Sequence, residues 1–137
     1  MIVARDLLDD VIAHAREEYE AECCGVIAYQ DLAPGGEGQA LEVRRAKNKW
    51  ASPKRFEIEG DELYGIYKDF DAKGWEIGAL YHSHTHTEPY PSQTDINYSR
   101  EWPGVEWVIV GLGGDQPDVR CYMIEDGQVR EVELEVL

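Results

Sequence analysis

Between Asp6 and Tyr19 the apolar residues Leu7, Leu8, Val11, Ile12, Ala15 and Tyr19 return every three or four positions, with Asp9, Asp10, Arg16 and Glu17 between them. That period is the mark of a helix with one buried face. The run "CCGVIAYQ" (23–30) is short, apolar and rich in strand formers, and "DLAPGGEGQ" (31–39) reads as a loop. "ALEVRRAKN" (40–48) alternates through Leu41 and Val43 and predicts a strand paired with its predecessor, and "FEIE" (56–59) a further short strand. A second helix is expected over Gly60–Ala72, with Leu63, Ile66, Tyr67 and Phe70 on one stripe and Gly74 ending it. "WEIGALYH" (75–82) reads as a strand. "VEWVIVGL" (105–112) is nearly all apolar, as a central strand covered on both faces would be. "VRCYMIED" and "QVREVELEV", joined at Asp126-Gly127, predict a hairpin, because that dipeptide accepts the positive φ of a tight turn. The order of elements implies an α/β sandwich with a mixed or antiparallel sheet, in one domain spanning 1–137.

Composition narrows the function without defining it. The 137 residues carry 28 acidic and 13 basic side chains, a formal charge of −15. A field of that sign repels phosphate backbones, so nucleic acid is not an expected partner. The three cysteines are odd in number and two are adjacent, which does not suit a disulfide framework and points to a reducing compartment. No basic-then-apolar leader opens the chain and no apolar run reaches membrane-spanning length. The expectation is a cytoplasmic protein, free of membrane, with a homodimer left open.

The chemistry concentrates in "HSHTHTEPYPSQTD" (82–95), which holds three of the four histidines at alternate positions. On a strand His82 and His84 point to one face, and His86 joins them only if the strand continues. Ser92 has the character of a helix N-cap, which places Asp95 in the first turn of the next helix. Two imidazoles and a carboxylate leave a Zn2+ tetrahedron with one open position, the catalytic ligand count. Such a site also needs a carboxylate beside the metal-activated water; Glu22, Glu76 and Glu88 are all conceivable. The plainer alternative is a polar loop in which Ser92 and Asp95 only cap a helix. Cys23 and Cys24, on an apolar strand, read as small core residues before they read as ligands.

Taken together, Glu22-x-Cys24-Gly25, His82-Ser83-His84 and Ser92-x-x-Asp95 resemble the signature of the JAMM (MPN-plus) zinc metalloprotease family, and the order of elements resembles that family along essentially the whole chain. The resemblance implies a cytidine-deaminase-like α/β sandwich and Zn2+ bound by His82, His84 and Asp95. It further implies Glu22 as the base and Ser92 as a hydrogen-bond donor to the water or the developing oxyanion. The similarity is greatest to small bacterial members that act on ubiquitin-like sulfur-carrier proteins. They share segments like Asn48 to Ser52-Pro53 and Thr87-Glu88-x-Tyr90-Pro91. The implied substrate is a carrier with a Gly-Gly tail followed by cysteine. The stretches 50–53 and 88–91 lie beside restricted prolines, and the second bridges the metal ligands, so Ser52, Pro53 and Tyr90, with His86, are expected to flank the groove for that tail. His86 departs from the pattern, standing where a small residue is usual; it could compete for zinc or bind the substrate carboxylate, and an exposed loop histidine is its ordinary reading. Tail trimming or isopeptidase activity is the alternative within the family. A scaffold without catalysis would lack these ligands. A zinc deaminase would carry His-x-Glu and Pro-Cys-x-x-Cys, which this chain does not.

Overall fold

The structure is a computed structural model and describes residues 1–137. The first amphipathic stretch forms α1 (Arg5–Glu18), which buries Leu8, Val11, His14 and Ala15. Tyr19 lies just beyond the helix and is exposed, so it does not extend the buried stripe. The main sheet contains β2 (Cys24–Tyr29), β3 (Glu42–Ala46), β4 (Glu76–His84), β5 (Glu106–Gly111), β6 (Asp118–Glu125) and β7 (Gln128–Val132). Their spatial order is β3-β2-β4-β5-β6-β7. Every neighbouring pair is antiparallel except β4 and β5. A parallel pair needs a crossover, and here the crossover contains the seven-residue helix α3 (Gln93–Ser99).

Side chains alternate across the sheet and feed two separate cores. On one face Leu8, Val11 and Ala15 of α1 meet Ile27, Tyr81, Val108 and Met123. On the other, Ile66 and Phe70 of α2 (Gly60–Ala72) meet Val26, Leu80, Trp107 and Ile109, with Ile96 and Tyr98 of α3 packed at the edge. The result is the expected mixed sheet flanked by helices. The β6–β7 turn also forms as read, with Asp126 at φ 50° and Gly127 at φ 77°.

Three further local expectations are corrected. "FEIE" makes no strand; only Ile58 bridges to Asn48, because α2 begins two residues later. Tyr67 is exposed, since Ile66 and Phe70 define the buried face and Tyr67 is turned about 100° from Ile66. The last strand is not continuous: β7 ends at Val132, and β8 (Glu135–Val136) crosses to pair in parallel with β1 (Ile2–Val3). The near-apolar run 105–112 does form a central strand covered on both faces, and that strand carries a fully buried acid, Glu106. Its Oε1 accepts from the Tyr29 hydroxyl at 2.6 Å, and its Oε2 accepts from the N–H groups of Gly35 and Gly36 at 3.1 and 2.8 Å. A buried carboxylate is tolerable because these donors replace water.

Glu106 opens β5 opposite Ala79, whereas His84 pairs with Gly111 at the far end of the same ladder. Tyr29→Phe should therefore destabilise the fold by about 2 kcal/mol, the usual worth of a hydrogen bond to a buried charge. Urea unfolding will measure the loss, and metal binding at the other end of the sheet should be unchanged.

Candidate metal centre and active site

The residues singled out in the sequence gather at one end of the sheet, where β4 and β5 finish and β2 begins. Cys24 of β2 lies opposite His82, and His84 lies opposite Gly111. Strand β4 persists through His84 and stops there, so His82 and His84 share a face while His86 falls outside the alternation. His86 is exposed, with Nε2 3.8 Å from a Glu20 oxygen and its ring edge-on to Tyr19. It does not join the other two histidines.

Asp95 reaches them through the cap of α3. The Asp95 N–H donates to Ser92 Oγ at 3.1 Å, and Asp95 Oδ2 accepts from the Ser92 N–H at 2.9 Å, completing a capping box. The same Oδ2 lies 3.1 Å from His82 Nε2 and 3.2 Å from His84 Nε2, and those nitrogens are 3.2 Å apart. All three side chains are buried. His84 Nδ1 is 2.7 Å from the Glu88 carbonyl, a contact that requires its proton on Nδ1 and leaves the Nε2 lone pair of the neutral ring facing inward. His82 is fixed differently: its ring stacks on Phe56 at 4.4 Å and meets Trp107 edge-on. Three electron-rich atoms so close together call for a cation among them, and the donor set of two imidazoles and one carboxylate suits a divalent metal.

Electrostatics agree with that geometry. Burial alone would raise the Asp95 pKa, but His82, His84 and the Ser92 N–H outweigh it and hold the carboxyl far below its ordinary range. For His84, burial works downward and is outweighed by hydrogen bonding to Asp95 and to the Glu88 carbonyl, so the net shift is upward.

Glu22 stands just before β2, buried, with its pKa pushed up to about 7 by that burial. His82 and His84 partly oppose the shift and Asp95 adds to it. Its Oε1 is enclosed and takes no hydrogen bond from the protein, an orphaned acceptor beside the triad. The backbone is clamped on both sides: Glu22 N–H donates to the Ser52 carbonyl at 2.8 Å, and Asn48 Nδ2 donates to the Glu22 carbonyl at 3.0 Å. The other two candidate acids fall away. Glu76 begins β4 at the opposite end of the sheet and accepts from the Leu32 N–H. Glu88 keeps an exposed side chain and contributes its carbonyl to His84.

Of the residues expected to flank a groove, Ser52 is half-buried against Glu22 and Pro53 is exposed beside it. Tyr90 is exposed on the segment bridging His84 and Asp95, where it packs edge-on against Tyr122. Cys23 and Cys24 are free, buried core residues and not ligands. Two contributors escaped the sequence reading. Phe56 announces itself only as an apolar residue, and the Glu88 carbonyl has no side-chain signature at all.

Two outcomes are expected. His84→Ala should abolish stoichiometric metal binding while Glu22→Gln retains it, as metal analysis of purified protein will report. In metal-free protein, the folded-state pKa of Glu22 near 7 exceeds the unfolded value near 4.5, so the native state holds the extra proton between them. Wild-type stability should then fall as pH rises across that window, because proton uptake favours the native state. Glu22→Gln lacks this penalty and should be more stable than wild type above pH 7, by about 3 kcal/mol, with the gap closing near pH 4.5. Urea titrations in chelator at several pH values provide the check.

The comparisons with known proteins follow the same lines. The family of prokaryotic homologues of the JAB domain matches residues 4–125. The CysO-cysteine peptidase of Mycobacterium tuberculosis is 30% identical over 138 aligned residues, covering 100% of this chain and 91% of that protein. The desampylase of Haloferax volcanii is 32% identical over 120 residues, covering 82% of this chain and 81% of that one. A solution structure of a protein from Desulfitobacterium hafniense covers 100% of this chain and 93% of its own, with a TM-score of 0.84 at 25% identity. The crystal structure of a JAB1/MPN domain protein from Archaeoglobus fulgidus covers 100% and 99%, with a TM-score of 0.65 at 21% identity, and shares the fold. With its His82/His84/Asp95 cluster at the end of such a sheet, the chain belongs to the prokaryotic JAB-domain family, of the JAMM/MPN type.

Proposed function

We propose that the chain is a zinc-dependent metallopeptidase that hydrolyses the bond after the C-terminal Gly-Gly of a ubiquitin-like sulfur-carrier protein, releasing cysteine. The observation that carries this reading is the convergence of His82 Nε2, His84 Nε2 and Asp95 Oδ2 beside the buried, unpartnered carboxyl oxygen of Glu22. The likeness to a CysO-cysteine peptidase over the whole chain supports the choice of substrate.

His82, His84 and Asp95 would hold the zinc ion, which supplies Lewis acidity that lowers the pKa of water and polarises the scissile carbonyl. Glu22 does the proton work. Its carboxylate takes a proton from the attacking water and delivers it to the leaving amine, and its Oε1, which takes no hydrogen bond from the protein, is free to accept that proton. Ser92 Oγ already accepts from the Asp95 N–H, so its own hydroxyl hydrogen is left to donate to the oxygen that gains charge. The tail lies extended between Ser52-Pro53 on one side and Tyr90 on the other, with His86 at the outer margin. Extended tails suit such sites because glycines let the backbone approach closely. No helix is long and apolar enough to cross a membrane. Three free, buried cysteines accord with a reducing, cytoplasmic setting.

The second reading is cleavage of other extensions or of lysine-linked conjugates of the same kind of carrier, favoured by the likeness to desampylases. Mass spectrometry of a ubiquitin-like carrier ending Gly-Gly-Cys separates the two. A loss of about 103 daltons, one cysteine residue, is expected with wild type. With Glu22→Gln the rate should fall by roughly two to four orders of magnitude, the usual worth of a general base. Cleavage only of longer extensions or of lysine conjugates would favour the second reading, and zinc-loaded protein inert on all three would refute both.

A further inference from the structure

The charge of this chain is unevenly spread. Six of its 13 basic residues lie between Arg44 and Arg55, and no acidic residue occurs from Val43 to Phe56; the other seven face all 28 acids. The structure divides these six by what they do. Arg44 is paired with Asp69 at 3.0 Å, and Arg45 with Asp10 and Glu17. Lys49 is shared between Glu57 and Glu59 at 3.3 and 3.8 Å. Lys47, Lys54 and Arg55 are exposed and make no ion pair with the chain. Arg55 instead lies over the exposed Trp50 ring at 3.8 Å, with Lys49 near the same ring at 5.3 Å.

This basic, aromatic loop is not a loose appendage. Buried Asn48 donates to the Arg55 carbonyl at 2.9 Å and to the Glu22 carbonyl, and its Oδ1 accepts from the Trp50 N–H. The Ser52 carbonyl accepts from Glu22 itself. The loop is thus held in one shape and joined by hydrogen bonds to the candidate base. Beside it opens a cavity of about 380 Å³ lined by Arg45, Lys47, Asn48 and Ala51, with Glu18 as its one acid.

We propose that the loop from Lys47 to Arg55 is the docking surface for an acidic face of the folded carrier, one whose carboxylates border the Gly-Gly tail. The proposal rests on the peptidase reading above and names the chemistry of its partner. A chain of charge −15 repels an acidic protein from most directions. One cationic loop then orients the encounter as well as attracting it, which is how charge complementarity raises association rates. Trp50, with its two cations, supplies the aromatic and basic character typical of contact centres. A long polyanion such as nucleic acid would meet the repulsive faces as well, so a compact acidic protein fits better.

The test is the double variant Lys47→Glu/Lys54→Glu, whose ammonium groups have no partner in the chain. Steady-state cleavage of the Gly-Gly-Cys carrier is compared with that of a short peptide bearing the same tail. The expected result is a rise of about tenfold in carrier KM with kcat nearly unchanged, a weaker salt dependence, and unaltered peptide kinetics. Replacing carboxylates that border the carrier tail with lysine should restore cleavage by the variant and impair it for wild type. Equal carrier kinetics for variant and wild type would overturn the proposal while leaving the peptidase reading intact. So would parallel losses on carrier and peptide, or salt-sensitive binding of a DNA oligonucleotide by wild type but not by the variant. Wild type that leaves carrier and peptide whole would refute the peptidase reading, and the docking proposal with it.

Discussion

Asp95 Oδ2 is the atom on which the site depends. It closes the capping box of a two-turn helix and also faces both imidazole nitrogens of β4. For a single oxygen to do this, α3 must begin within reach of the end of β4. That requires the intervening segment, with Pro89 and Pro91, to turn back over the strand end. The parallel pairing of β4 and β5 serves the same end, because only a crossover brings a helix start to the carboxyl ends of two adjacent strands. Open α/β sheets place their sites at such ends for the same reason.

Sequence legibility followed the range of the interactions. His82 and His84 could be paired from alternation alone, and Ser92 with Asp95 from cap spacing, because both relations are set by the geometry of a single element. Glu22 is different. It reaches the triad through the pairing of β2 with β4, in which Cys24 lies opposite His82, and no local pattern encodes that register. Residue types left Glu76 and Glu88 equally open; the family resemblance singled out Glu22, and topology removed Glu76 to the other end of the sheet. Where the reading failed, a remote partner decided the outcome. The strand holding Glu106 was legible, but its donors were not, because Tyr29 and the Gly35-Gly36 turn supply them from 70 or more residues earlier. The final strand breaks because β1 offers Glu135 and Val136 an edge to join.

Division of labour across the sheet explains how a cluster of buried polar groups is tolerated in so small a core. The Tyr29–Glu106 pair ties down the 31–39 loop at one end, and the triad with Glu22 occupies the other. Between them the sheet interior is aliphatic and aromatic, and Trp107, Phe56 and Tyr98 form an aromatic wall behind His82. That wall excludes water from the rear of the imidazole, and electrostatic interactions in front of it strengthen in the lower local dielectric.

The double duty of Asp95 also restricts what could ever replace it. Glutamate can ligate a metal, but its extra methylene would move the carboxylate off either the Ser92 N–H or the imidazoles. Histidine at this position could coordinate, yet it offers no anionic oxygen to the helix start. Asparagine keeps the cap and surrenders the negative charge that balances a divalent ion. The aspartate is therefore locked by two unrelated demands, and the loop from Thr85 to Pro91 inherits the lock: its length can change only in ways that return the same oxygen to the same place. Diversity in substrate choice must be sought on the outer faces of the flanking loops, where side chains can vary without passing through that one atom.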